Sequence, residues 1–245
     1  MLFKYKLTPF TSILLILIIA LLFAGMRLLG TLGPKYLNWL LPLGFCMMAA
    51  LPWVILSQQG RSEIGLQNPV QTSHIFLGIS LGALAAFFCF LNGKLIFGNG
   101  IENWFVSIGN NYQSIMDTRA MSFFTLNLIF TLPAMLFSPI GEEIFFRGIF
   151  QKTLEQKFPI FTCALIESAF FALVHLAHHG ILKSKEGFEF LPISASLWVL
   201  HMFGVALMFA WLRSKSGSIY VCIASHSAFN LTMNLLIFKF LWFME

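Results

Sequence analysis

Gly141-Glu142-Glu143-Ile144-Phe145-Phe146-Arg147-Gly148 is the stretch whose reading decides the fold. It follows an uncharged run, Met121 to Ile140, that is apolar enough to enter a bilayer. A charged side chain at bilayer centre costs on the order of 2.5–3.5 kcal/mol on insertion scales. Two carboxylates and a guanidinium at the inner end of one hydrophobic span therefore mark either a site or a buried ion network that fixes helix packing. Helical neighbours point about 100° apart, whereas side chains four residues apart meet. The spacing pairs Glu143 with Arg147 and leaves Glu142 to face something else.

Working outward, the composition points the same way. The 245 residues are 58% hydrophobic, 16% aromatic and only 10% charged, where an ordinary soluble domain is about one-quarter charged. The chain reads as all-α, a polytopic membrane bundle of about seven transmembrane helices. Lys4 and Lys6 precede the first run, Thr8 to Met26, which is long for a secretory signal and reads as an anchoring span. A second run covers Tyr36 to Gly60, and a third span begins near His74. The fourth starts near Ser122 and continues through the Glu-Glu motif to about Lys157, with Pro133 and Pro139 kinking it rather than ending it. Phe158-Pro159 makes a turn. Further spans run from Ile160 to about His179, Leu191 to Leu212 and Ser218 to about Phe240. The polar stretch from Gly98 to Ala120 reads as an extramembrane loop. Lys and Arg in the short loops favour a cytoplasmic N-terminus, with Lys35, Arg119, Lys183 and Lys185 on the far side. The net charge of +5 is scattered rather than gathered into a stripe, which argues against a nucleic-acid partner. Cys46, Cys89, Cys163 and Cys222 stand singly in apolar runs and read as reduced packing residues.

Two more spans carry polar groups that an apolar environment does not explain. The fifth supplies Phe171 and His175. If spans four and five form an antiparallel hairpin about Phe158-Pro159, Glu142 and His175 lie equally far from the turn, roughly 24 Å at 1.5 Å per residue, and so at one depth. The seventh supplies His226 and Asn230, four apart on one face, so an imidazole and a carboxamide converge. A lone histidine or an Asn-His pair within a bundle is ordinarily a packing or interhelical hydrogen-bonding group. At the level of an unpartnered glutamate that account weakens. His178 and His179 read as interfacial or capping groups, Glu167 as a nearby acid or buried ion-pair partner, and His201 as a packing residue.

Taken together, Glu142-Glu143 with Arg147, Phe171 with His175, and His226 with Asn230 resemble the pattern of the CPBP family, the CAAX-processing and bacteriocin-processing (Abi) intramembrane endopeptidases. That pattern is Glu-Glu-x-x-x-Arg, then Phe-x-x-x-His, then His-x-x-x-Asn or Asp on successive membrane helices. The resemblance covers about residues 120 to 235. It implies that 1–120 hold N-terminal transmembrane helices and a polar loop, and 121–245 the catalytic core. It also implies hydrolysis of a peptide bond near the C-terminus of a CAAX-type or other membrane-associated substrate. The catalytic set would be Glu142 as general base for a water, His175 orienting it or sharing its proton, and His226 and Asn230 donating to the oxyanion. Glu143, Arg147 and Phe171 would support it. No cofactor is favoured; the alternative is zinc held by Glu142, His175 and His226. The competing functional class is a membrane scaffold or regulator that keeps the fold without turnover. The expected partners are the lipid bilayer and a peptide or lipid-anchored protein, and the expected location is a prokaryotic inner or plasma membrane.

Overall fold

A computed structural model describes residues 2–66, 70–118, 120–184 and 187–242. Arg119 and Lys185, counted above among the far-side charges, lie outside the described residues. Among those described, seven helices are long and apolar enough to cross a membrane. They match the seven runs read from hydropathy, and the chain is an all-α polytopic bundle.

Helix α1 is Pro9–Leu32, opened by Thr8, whose hydroxyl accepts from the Thr11 amide, and by a proline at its first position, where the missing N–H costs nothing. Helix α2 is Leu40–Ile55 and α3 is Thr72–Phe97. Within the expected polar loop the chain forms another helix, α4, Trp104–Ile115, capped by Asn103 and burying Trp104, Phe105 and Ile108. Hydropathy overlooked it because Asn110, Asn111 and Gln113 make its second half polar, although Asn111 turns inward to donate to the His178 carbonyl at 3.2 Å.

Helix α5 is Phe123–Leu154. It is not uniform: π-helical turns cover Asn127–Thr131 and Ile144–Phe150. Such turns add a residue to the helical cycle and re-aim the side chains that follow. The first precedes Pro133; the second begins directly after Glu143. Helix α6 is Ile160–Val174 and passes into a 3-10 turn over His175–Ala177. An antiparallel hairpin, Ile181–Ser184 with Gly187–Phe190, leads into α7, Pro192–Ser216. That helix ends at Gly217 in the left-handed region, the conformation that closes a helix without a Cβ penalty. Helix α8, Ile219–Ile237, is the most enclosed of the spans.

Helix α8 is held from two sides. On one, Gly78 and Gly82 of α3 bring the backbones together, so that a methyl on Gly82 would be driven into the Ser225 carbonyl. On the other, α8 repairs α5. Pro139 has no N–H for the Met135 carbonyl four residues earlier, and Ser227 Oγ donates to that oxygen at 2.7 Å. Asn230 Nδ2 donates to the adjacent Ala134 carbonyl at 2.8 Å.

The glycine contact gives a test of packing independent of function. Gly82→Leu should cost about 3 kcal/mol or more, at or beyond the upper end of ordinary overpacking, and lower the melting temperature in detergent. Gly25→Ala, where the added methyl meets nothing within 4 Å, should leave it unchanged.

Candidate active site

The site lies where α1, α5, α6 and α8 meet. Glu142 and Glu143 are fully buried, the first at the end of the α-helical part of α5 and the second where the π turn begins. Glu143 is the hub of a buried string. Its Oε2 lies 3.3 Å from Arg147 Nε, the expected pair, and Arg147 Nε also lies 3.6 Å from Glu167 Oε1. Glu167 is therefore an ion-pair partner of that arginine. Glu143 Oε1 is 2.7 Å from His226 Nδ1.

Aromatic rings shape this string. The Arg147 guanidinium lies 4.1 Å from the centroid of Phe171 and 5.2 Å from that of Phe209, close enough for cation–π attraction strengthened by desolvation. Phe209 stacks on the His226 ring at 5.2 Å and 20°. Phe171 packs against His175 at 4.4 Å and edge-on to His226 at 6.0 Å. Phe171 thus separates Arg147 from His175 while touching both.

Two histidine tautomers follow from the hydrogen bonds. His175 Nδ1 is 2.6 Å from the Phe171 carbonyl, which can only accept, so Nδ1 carries the proton and a neutral ring has its Nε2 bare. The Glu143 carboxylate, paired with Arg147, accepts from His226 Nδ1 in the same way, and a neutral His226 presents a bare Nε2. That atom lies 3.9 Å from Glu142 Oε2.

The cation among these groups comes from the first helix. Arg27 is buried; its Nη1 donates to Glu142 Oε1, Nη2 to His175 Nε2 at 3.1 Å and Nε to His178 Nε2 at 2.9 Å. Glu142 and His175, expected at one depth, are thus joined through a residue that sequence reading missed. The signal was present: the apolar run does not stop at Met26 but continues through Leu32, so Arg27 interrupts a span instead of flanking it. His178, read as an interfacial or capping group, does cap the 3-10 turn, its N–H donating to the His175 carbonyl at 3.0 Å. Its ring sits half-buried against Arg27 and stacks on His175 at 5.7 Å, away from an interfacial position. His179 turns away to Ser194 at 3.1 Å, and His201 bonds the Leu197 carbonyl at 2.7 Å while packing on Trp104.

Of these groups Arg27, His175, His178 and His226 line a cavity of about 280 Å³, whose remaining wall is mostly apolar and includes Leu41 and Phe45 of α2, Ile108 of α4 and Phe130 of α5; Glu142 and Glu143 are not part of that lining. Tyr112 of α4 also lines it and donates to Asn234 Oδ1 at 2.9 Å; burial pushes its phenol up to about 12, so it stays a donor. Asn230 faces the cavity with its carboxamide tied to Ala134. Among the described residues, no three His, Cys, Asp or Glu side chains gather in a set that could hold a metal ion.

An all-helical membrane-spanning bundle with a buried cluster of glutamate, histidine and arginine, whose Arg27 and histidines line a mostly apolar cavity, defines an integral multi-pass membrane protein with a polar intramembrane site. Residues 124–232 match the family described as Rce1-like, type II CAAX prenyl endopeptidase. The chain is 34% identical over 162 residues to the Bacillus subtilis (strain 168) protein named "Putative membrane peptidase YdiL", the alignment covering 62% of each. It therefore spans less than two thirds of that relative's length. No solved structure matches.

Removing one member of a buried ion pair leaves an uncompensated charge and typically costs about 3–5 kcal/mol. Arg27→Met should destabilise the protein by that amount in detergent unfolding, and Arg27→Met with Glu142→Gln should recover at least half of it. Additive losses in the double variant would show that the two side chains do not interact.

Proposed function

We propose that this protein is an intramembrane peptidase that hydrolyses a peptide bond of a membrane-associated substrate with water activated by Glu142. One observation carries the reading. Glu142 Oε2 is buried without a hydrogen-bond partner among the described residues, and it faces His226 Nε2 across 3.9 Å. That gap is too long for a direct hydrogen bond and suits a bridging water. A water donating to both atoms would keep a lone pair free for attack.

In the reaction, the water oxygen bonds to the scissile carbonyl carbon and gives a proton to Glu142. The carbonyl π pair moves onto oxygen. Collapse of the tetrahedral centre breaks the C–N bond as Glu142 returns the proton to the leaving amine. His175 orients the base through Arg27, which bonds both. Asn230 contributes the amide proton not given to Ala134. His226, fixed by Glu143, holds the water and becomes a donor once it has itself taken a proton.

The apolar cavity and the relatives' descriptions support a substrate that approaches through the bilayer, a lipid-anchored or CAAX-type protein cut near its C-terminus or another membrane peptide. The bacterial relative supports a prokaryotic plasma membrane. Zinc on Glu142, His175 and His226 does not fit the residues as they stand. Glu142 Oε1 and His175 Nε2 are both turned to the Arg27 guanidinium, and a dication there would displace a fixed cation or lie beside it.

With purified protein and a library of lipid-anchored and membrane peptides, Glu142→Gln should lower kcat by about 10²–10⁴-fold, the usual worth of a general base. His226→Ala should reduce it comparably, and Asn230→Ala by about 10²-fold. Activity should survive exhaustive chelation. Undiminished cleavage by Glu142→Gln would defeat the assignment, and chelator-sensitive activity restored by zinc would replace the metal-free mechanism with a metal-dependent one.

A further inference from the structure

Arg27 belongs to none of the motif segments that carry the family resemblance, yet it has the most polar contacts of any residue at the cavity's polar end. A guanidinium has five N–H bonds. Three are directed at acceptors: Nη1 at Glu142 Oε1, Nη2 at His175 Nε2 and Nε at His178 Nε2. These contacts arrive from α5 and from the 3-10 turn that follows α6, fix the plane of the group and leave one N–H on each terminal nitrogen. Arg27 lines the cavity, and among the described lining residues it is the one with a permanent positive charge.

Peptide hydrolysis places a negative charge on the carbonyl oxygen, and the largest catalytic effect usually comes from donors already aimed at that oxygen. The other candidates are partly committed. Asn230 gives one amide proton to Ala134. His226 uses Nδ1–H on Glu143, and its Nε2 acquires a proton only by taking one. Arg27 needs no proton transfer to become a donor. It also grips Oε1 of the carboxylate whose Oε2 addresses the water, so a carbonyl attacked by that water lies close to the guanidinium.

Resting on the peptidase reading above, we infer that Arg27 is a catalytic residue whose guanidinium donates to the oxyanion of the tetrahedral intermediate. It supplies the positive charge that a metal ion provides in metal-dependent peptidases. As water adds, the electron pair displaced from the C=O bond comes to rest against the Arg27 N–H. When the pair re-forms the carbonyl, the amine departs with the proton held by Glu142. Arg27 itself neither gains nor loses a proton.

The test uses the full chain in detergent or lipid discs and the library peptide that the wild type cleaves fastest. Arg27→Lys keeps a cation beside Glu142 but loses the planar fork, so it separates charge balance from oxyanion donation. The expected result is a melting temperature near that of wild type, KM within about threefold, and kcat lowered about 10²–10³-fold, as for loss of one oxyanion donor. A phosphinate analogue of the same peptide, which mimics the tetrahedral centre, should lose affinity by a similar factor. If Arg27→Ala folds, millimolar methylguanidinium should restore part of its kcat and leave the wild type unchanged; if it does not fold, the lysine variant decides. An Arg27→Lys enzyme with kcat within threefold of wild type, or with undiminished phosphinate affinity, overturns the role of Arg27 and leaves the peptidase reading standing. A folded wild type that cleaves no library member overturns both.

Discussion

Charge cannot be left alone in a medium that does not solvate it, and the interior of this protein is arranged by that constraint. Three carboxylates, Glu142, Glu143 and Glu167, lie fully buried within membrane-spanning helices. Each is answered by a guanidinium: Arg27 for the first, Arg147 for the other two. Burial of such pairs is seldom a gain over apolar packing, so stability alone does not account for them. They hold the carboxylates in fixed directions beside two imidazoles, His175 and His226, that line a mostly apolar cavity. The aromatic shell of Phe171 and Phe209 keeps Arg147 from competing for the groups on the cavity side.

Much of this was legible in the amino-acid order. The seven spans follow from hydropathy because a bilayer demands long apolar helices whatever their packing. The Glu143–Arg147 pair follows from helical spacing, and the shared depth of Glu142 and His175 from the symmetry of a hairpin about Phe158-Pro159. Asn230 and His226 were placed on one face of the last span, and both line the cavity.

What escaped did so for identifiable reasons. Arg27 lies far from Glu142 in sequence, and no local periodicity connects α1 with α5; its position inside an apolar run was the available sign. His178 reached the site because the helix tightens into a 3-10 turn at His175, which alters the direction of the residues after it. Helix α4 was hidden by Asn110, Asn111 and Gln113, which make its second half polar. The π turns in α5 leave no compositional trace beyond the prolines near the first of them. The tautomers of His175 and His226 depend on a backbone carbonyl and on a carboxylate from another helix, neither of which a linear motif reveals.

The two side-chain bonds from α8 to the carbonyls ahead of Pro139 bear on how a substrate gets in. Because Ser227 and Asn230 stand in for, or supplement, bonds within α5, sliding one helix past the other by a single residue would strip both carbonyls at once. The helices carrying Glu142 and His226 are in that sense a single rigid strut. The walls formed by α2 and α4 are tied as well, by the close backbone approach of Phe45 to Gly141 and by the Tyr112–Asn234 hydrogen bond, so the distance between base and imidazole is held from several sides as a substrate enters.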